Sequence, residues 1–257
     1  MQHFIWNADP IAFSFGSLHV YWYGILFATA ILFDLEMMKW IYKREGKSLE
    51  TLDTLFLYIV IGIVVGARLG HCLFYDPSYY LSHPLEILAI HKGGLASHGG
   101  GLGALIGILL YKRKHGLELW PFLDRVAIVT AFFGFFVRMG NFMNSEILGH
   151  KTDVAWGIVF ARVDQFARHP VQLYEALSYF VIGVVLLVVY LKNKNFQDGK
   201  LFGAFLALVF SARFVIEFFK ERQAEYAVDM LLSTGQLLSI PFILAGFYLL
   251  FRSRFSL

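Results

Sequence analysis

Apolar runs of membrane-crossing length recur along the chain, separated by short polar breaks. A helix needs roughly 17–25 mostly apolar residues to cross the hydrocarbon core of a bilayer. About seven stretches fit: Leu18–Lys39, Leu55–Phe74, Gly94–Tyr111, Pro121–Met139, Leu173–Leu191, Leu201–Phe219 and Gly235–Phe251. The pattern predicts an all-α, polytopic integral membrane protein. Lys and Arg in short loops set orientation, because the richer side stays in the cytoplasm. The breaks at Lys39–Lys47, Lys112–Lys114, Lys192–Lys200 and Arg252–Arg254, with Arg125, hold the excess. The opposite breaks hold only Lys92, Lys151, Arg162, Arg168, Lys220 and Arg222. The expected N-terminus is therefore outside and the C-terminus cytoplasmic. The longest outside break, about 140–172, carries Trp156, Phe160 and Phe166 among charges, as an extracytoplasmic loop or cap would.

Composition agrees with this picture. Hydrophobic residues make up 58% of the 257, and the mean hydropathy is +0.60. That is too apolar for an ordinary soluble domain. The apolar runs continue throughout, so a single transmembrane domain over 1–257 is expected. A net charge of +3, with no long basic block, argues against nucleic acid as a partner. Cys72 is the only cysteine. It excludes an intramolecular disulfide and a multi-cysteine metal site, and its apolar setting reads as a small buried residue. Met1–Phe15 lacks a basic stretch followed by an apolar core, so insertion through the first span is expected.

Polar groups inside this apolar pattern carry the candidate chemistry. Arg138-Met139-Gly140-Asn141-Phe142-Met143-Asn144-Ser145-Glu146-Ile147-Leu148-Gly149 follows an uncharged run from Val126 to Val137. Charges in hydrocarbon are costly unless paired or facing a wet cavity, so this stretch marks a site. Arg68 lies deep in the second span, within Gly66-Ala67-Arg68-Leu69-Gly70. Arg213 lies in the sixth, and the spacing to Glu217 puts the two on one helical face, where they can pair. Guanidinium groups suit bidentate phosphate recognition, and three at membrane depth point to an anionic lipid. The alternative is buried ion pairs that only fix helix register.

Gly99, Gly103 and Gly107 recur every four residues, and line one face for close helix packing. No Gly-Lys-Ser/Thr follows, which excludes a nucleotide loop. His98 opens that helix, where an imidazole serves as a base, a proton donor or a structural hydrogen-bonder. Tyr21-Trp22-Tyr23-Gly24 opens the first span as interfacial aromatics do. His169-Pro170-Val171-Gln172-Leu173-Tyr174-Glu175 opens the fifth, with Gln172 and Glu175 polar at membrane depth. Asp124 reads as a helix-terminus charge. The histidines are scattered with no zinc-binding spacing, so no metal is expected.

These residues together resemble the bacterial prolipoprotein diacylglyceryl transferase family. The likeness covers nearly the whole chain. It rests on Trp22-Tyr23-Gly24, Gly66–Gly70, Gly93-Gly94 with Ser97–Gly100, Arg138–Gly149, His169–Glu175 and Arg213-Phe214-x-x-Glu217. The Arg138–Gly149 stretch resembles the family signature, with Val137 where members usually carry glycine. Phe219-Lys220-Glu221-Arg222-Gln223 departs from an Arg-Glu-Pro-Asp-like segment. The resemblance implies transfer of the diacylglyceryl group of phosphatidylglycerol to the lipobox cysteine of a preprolipoprotein. That would occur at the extracytoplasmic side of the bacterial inner membrane and without a cofactor. It implies that Arg138 and Arg213 hold the lipid phosphate and stabilise the leaving group, with Arg68 a third phosphate ligand. His98 then accepts the thiol proton or orients the glycerol head. Asn141, Asn144, Glu146 and Gly149 shape the head-group pocket, and Tyr23 and Glu217 position lipid and arginine. The thiol belongs to the substrate, so the enzyme needs no cysteine nucleophile of its own. A rival reading, an organic-anion transporter, predicts inverted repeats that the sequence lacks. A purely structural role leaves the two asparagines and the glutamate beside Arg138 unexplained.

Overall fold

The computed structural model describes residues 3–89, 94, 96–193, 198–221 and 232–252. Lys92, Gly93, Lys194, Arg222, Gln223 and Arg254 lie outside them. The helices are α1 (Trp22–Arg44), α2 (Leu49–Phe74), α3 (Pro77–Ser82), α4 (Ser97–His115), α5 (Leu119–Met143), α6 (Val171–Lys192), α7 (Lys200–Ile216) and α8 (Thr234–Phe251). Each expected span overlaps one of them. Among the described residues, five helical stretches are long and apolar enough to cross a membrane: α2, α5, α6, α7 extended to Phe219, and α8. Helix α1 carries Asp34, Glu36 and Lys39, while α4 is glycine-rich and ends in Lys112–Lys114.

The protein is not all-α. Strands β1 (Phe4–Trp6), β4 (Ile158–Phe160) and β5 (Ala167–Arg168) form one sheet in the order β1-β4-β5. Strands β2 (Ile11–Phe15) and β3 (Leu18–Tyr21) form a hairpin. Leu18–Tyr21 was expected at the start of the first span. Instead Gly16, at φ +59°, closes a tight turn that pairs Phe15 with Leu18, and the helix starts at Trp22. Trp22 N–H then bonds the Pro10 carbonyl at 2.9 Å, which fixes the hairpin to the helix start. Strands this short give too few alternations to show a period of two.

The chain divides into two compact units, Met1–Met38 with Trp120–Leu257, and Lys39–Leu119. In the second, α2 packs on α4 along a glycine seam. A methyl on Gly66 would strike the Gly99 carbonyl, and one on Gly103 the Gly62 carbonyl. Lipid gives apolar helices no hydrophobic reason to associate, so backbone-to-backbone packing of this kind supplies the attraction. The glycines at 99, 103 and 107 thus serve packing, the first two against Gly62, Gly66 and Gly70 of α2 and Gly107 against the Tyr58 backbone. Cys72 is a free thiol, 1% exposed, as its apolar setting suggested.

In the first unit, Asp124 of α5 is fully buried and accepts from Gly199 N at 2.7 Å and Phe202 N at 2.8 Å. It caps α7, whose own N-cap residue, Gly199, has no side-chain acceptor. The helix-terminus reading of Asp124 therefore holds, at the terminus of a neighbouring helix. At the same end, Lys200 donates to the Leu250 and Arg252 carbonyls and ties the end of α8 to the start of α7. Helix α8 opens on a capping box between Ser233 and Gln236. Beyond the other end of α5, Phe142, Ile158 and Phe160 form a core against Trp6, Leu148 and Leu173. Burying one such side chain contributes on the order of 2 kcal/mol, so a few large residues hold the small sheet to the helices.

Candidate active site

Helix α5 runs one turn past its expected end, to Met143. Arg138 and Asn141 therefore sit three apart on one helical face. Arg138 Nη1 donates to Asn141 Oδ1 at 3.1 Å, and its Nε lies 2.7 Å from Glu175 Oε2. Asn141 passes the chain on, donating from Nδ2 to Glu146 Oε2 at 3.2 Å. Asn144 Nδ2 donates to the other Glu146 oxygen at 3.0 Å. One polar chain thus links Glu175, Arg138, Asn141, Glu146 and Asn144. The backbone turns sharply to allow it: Ser145 and Ile147, on either side of Glu146, both have φ of +56°. Non-glycine residues in this left-handed region cost of order 1–3 kcal/mol each, and such strain concentrates at functional sites. The turn is held from both sides. Glu146 N bonds the Asn141 carbonyl at 3.0 Å, and Gln172 Nε2 donates to the Glu146 carbonyl.

Helix α6 supplies the facing wall. Gln172, Glu175 and Tyr179 stand at i, i+3 and i+7, on one face, and are 0%, 1% and 6% exposed. Glu175 pairs with Arg138, and the Tyr179 hydroxyl lies beside the Arg138 guanidinium. Arg213, half-buried on α7, lies close enough to Tyr179 to act on it electrostatically. No hydrogen bond or ion pair joins Arg213 to another described residue. The expected pair with Glu217 does not form. Helix α7 ends at Ile216 and tightens into a 3₁₀ turn over Glu217–Phe219, and Glu217 N–H still bonds the Arg213 carbonyl, so the spacing holds while the Glu217 carboxylate turns to other partners. Glu217 instead accepts from Ser233 Oγ at 3.0 Å and lies 3.6 Å from Lys220 Nζ. Tyr23 of α1 packs its ring on Gly140, where a methyl would come within 2.8 Å of Cδ2. The glycine of the Arg138–Gly149 stretch therefore makes room for an aromatic from another helix.

At Gly149 three chain segments meet. A methyl there would lie 2.5 Å from the His169 carbonyl oxygen and 2.7 Å from that of Phe219. Gly149 N–H bonds His169 O at 3.1 Å, and His150 N–H bonds Phe219 O at 2.8 Å. Buried Arg168 locks this junction, donating to Asp164 Oδ2 at 2.6 Å, Glu221 Oε2 at 2.8 Å and the Gly149 carbonyl at 3.1 Å. The guanidinium holds the Asp164 carboxyl below the usual carboxylate range, and the Asp164 and Glu221 carboxylates raise the Arg168 pKa in return. Burial, with His150 nearby, pushes His169 down toward the neutral form. Trp156 Nε1 donates to the Tyr174 hydroxyl at 2.8 Å, which leaves that hydroxyl free to donate to His169 Nδ1 at 3.1 Å.

His98 and Arg68 belong to the second unit. His98 is exposed in the first turn of α4, at a cavity of about 460 Å³ lined also by Gly70, Phe74, Tyr75 and Leu102. Arg68 is 3% exposed and gives its donors to backbone. Nε bonds Ile87 O at 2.8 Å, Nη2 bonds Glu86 O at 2.6 Å and Nη1 bonds Gly94 O at 3.1 Å. Its guanidinium also covers the Tyr80 ring at 5.1 Å. Among the described residues, no cluster of histidine, cysteine or carboxylate side chains could hold a metal ion. The candidate list from sequence omitted Glu175, Tyr179, Gln172 and Arg168. The first three carried a readable signal, polar residues at helical spacing on an apolar helix. Arg168 carried little, because only Asp164 among its partners is near in sequence, and Gly149 and Glu221 lie 19 and 53 residues away.

These features define a helical membrane protein with a buried polar site built around arginines. The sequence model of the prolipoprotein diacylglyceryl transferase family matches residues 10–252. A phosphatidylglycerol–prolipoprotein diacylglyceryl transferase of Tolumonas auensis is 56% identical over 249 residues, covering 96% of each chain. Proteins of the same name from Chloroherpeton thalassium and Bacteroides fragilis are 46% and 42% identical, covering 98% and 96% of this chain and 95% and 94% of theirs. The chain belongs to the prolipoprotein diacylglyceryl transferase family, and it is a transferase.

Proposed function

We propose that the protein transfers the diacylglyceryl group of phosphatidylglycerol to the lipobox cysteine thiol of a preprolipoprotein. The thiol sulfur forms a bond to the glyceryl carbon, the carbon–oxygen bond to phosphate breaks, and glycerol 1-phosphate leaves. The thiol proton passes to a base or to the departing phosphate. No oxidant, metal or cofactor enters this balance. The observation that carries the reading is Arg213, a half-buried cation that pairs with no carboxylate among the described residues and acts electrostatically on Tyr179, as Arg138 also does. Arg138 is already neutralised by Glu175 and fixed by Asn141, so it is a preset donor rather than a free charge. A phosphate between the two satisfies Arg213 and meets prepositioned hydrogen-bond donors as charge develops on the leaving group.

The remaining roles follow. Asn141, Asn144 and Glu146 shape the pocket around the glycerol head. Gly149 closes it by allowing three segments to meet. Tyr23 buttresses the end of α5, and Glu217 anchors the start of α8 through Ser233. His98 accepts the thiol proton or orients the head group. Arg68 gives donors to the carbonyls of Glu86, Ile87 and Gly94 within its own unit. The chain acts as one domain of about seven spans in the bacterial inner membrane, N-terminus outside and C-terminus cytoplasmic. The 140–172 connection forms its extracytoplasmic cap.

The test mixes purified protein in detergent with phosphatidylglycerol and a lipobox peptide and follows the peptide mass. The diacylglyceryl adduct is expected with the native protein. Arg213→Ala should cut its rate by roughly 10²–10³, the cost of losing one oxyanion donor. No adduct from the native protein, with a known enzyme as control, refutes the activity. An active Arg213→Ala protein refutes the phosphate role.

A further inference from the structure

Glu146 orients two amides, one through its side chain and one through its backbone. Its carboxylate accepts from Asn144 Nδ2 at 3.0 Å, and its carbonyl accepts from Gln172 Nε2. Carboxylate and carbonyl oxygens only accept, so both amide nitrogens must face Glu146 and both amide oxygens must face away. Those two oxygens, Asn144 Oδ1 and Gln172 Oε1, are buried and bond no described group. Gln172 is fully buried. A buried acceptor without a donor carries a desolvation cost of about 1–3 kcal/mol, and in a native protein it calls for an explanation. Gln172 shares its helical face with Glu175 and Tyr179, which hold Arg138, while Asn144 ends the chain of bonds that begins at Arg138. The wall around the arginines therefore offers fixed cations for a phosphate and, beside them, spare acceptors that call for hydroxyl donors.

We infer that Gln172 and Asn144 form a hydroxyl-reading pair, whose amide oxygens accept from the free hydroxyls of a polyol phosphate head group. This rests on the proposed transferase reading and adds the basis of its choice of lipid head. A glycerol head has two hydroxyls beyond its phosphate, one donor for each amide oxygen. A head without them leaves both oxygens buried and unpaired. Such an analogue is rejected by the penalty on the site rather than by a clash. Gln172 is a contact residue of the head group as well as the brace of the Ser145–Ile147 turn.

The test compares three lipids with the same acyl chains: phosphatidylglycerol, an analogue with a propane-1,3-diol head, and phosphatidylpropanol, which has no free hydroxyl. Two readouts are taken, the initial rate of peptide adduct and the retention of each lipid on the protein in native mass spectrometry. The native protein should lose roughly tenfold in both with each hydroxyl removed. Gln172→Met loses the brace as well as the acceptor, so both lipids should slow, phosphatidylglycerol by roughly tenfold more than phosphatidylpropanol, and the ratio between them falls. Gln172→Glu keeps an acceptor at the same reach and should retain the preference for hydroxyl heads even where its absolute rate drops. Equal handling of phosphatidylglycerol and phosphatidylpropanol by the native protein overturns the inference. So does an equal loss on both lipids in Gln172→Met, which is the mark of a purely structural role. If no adduct forms with any head while phosphatidylglycerol is still retained in preference, the transferase reading falls and the hydroxyl reading stands.

Discussion

Arg68 and Arg213 are the same residue type on apolar helices of the two units, and they are used in opposite ways. Arg68 is buried and spends its fork on the carbonyls of residues 86, 87 and 94. Arg213 is half-buried and makes no hydrogen bond or ion pair to a described residue. A guanidinium surrounded by carbonyls keeps its charge but has few directions left for a ligand. One without partners keeps both charge and geometry for an incoming anion. Depth in an apolar helix alone therefore does not identify a binding arginine; the donors left over do. Arg138 is intermediate, neutralised by Glu175 yet facing Tyr179 and Asn141 at the head of the polar chain.

The sharpest break of this comparison is Arg68→Ala. It strips donors from three carbonyls, and the loss should be on the order of 3 kcal/mol of stability. Proteolysis around residues 77–88 and thermal unfolding should report it, whereas Arg213→Ala should leave both unchanged while stopping transfer. An Arg68→Ala protein that stays protected and loses only transfer would reverse the assignment. A smaller effect is expected from Glu175→Gln. It keeps the shape beside Arg138 but removes the charge that fixes it, so kcat/KM should fall by roughly tenfold with normal unfolding. An unchanged kcat/KM would mean that Arg138 is positioned by Asn141 and Tyr179 alone.

Five of the seven expected spans were legible because hydrocarbon demands long apolar runs, and the other two expected runs overlap α1 and α4. The polar stretch after Val137 was legible for the same reason, since its cost had to be explained. Pairings were not. The helical spacing of Arg213 and Glu217 is present, but Ser233 and Lys220, the first from the start of the next helix, take the carboxylate instead. Arg68 looked like Arg213 because a sequence shows depth but not which carbonyls fold back onto a side chain. The sheets escaped because strands of two to five residues carry no periodic signal, and the partner of β1 lies far off in the chain. Gln172 and Glu175 were visible as polar residues at membrane depth. Their i, i+3, i+7 relation to Tyr179 was the unused clue that they face Arg138.

The smallest effect concerns the other arginine with a full set of partners, Arg168, which ties the Gly149 junction to Asp164 and Glu221. Arg168 depresses the Asp164 pKa below its ordinary 3.8. A group depressed on folding contributes stability that is complete above its unfolded value and is lost as pH falls through the folded one. Between pH 5 and 8 the tie should therefore be indifferent to pH, and it should loosen only well into acid. Asp164→Asn removes it at every pH. Partial exposure of the aspartate keeps the effect modest, so amide exchange at Gly149, His150 and Glu221 should quicken about two- to fivefold at neutral pH. Those amides bond His169, Phe219 and Leu148 across the junction, so they report the tie directly. Slow exchange in Asp164→Asn would show that the backbone bonds hold the three segments without it. Arg168 would then resemble Arg68 in appearance alone, with its donors filled but its partners dispensable.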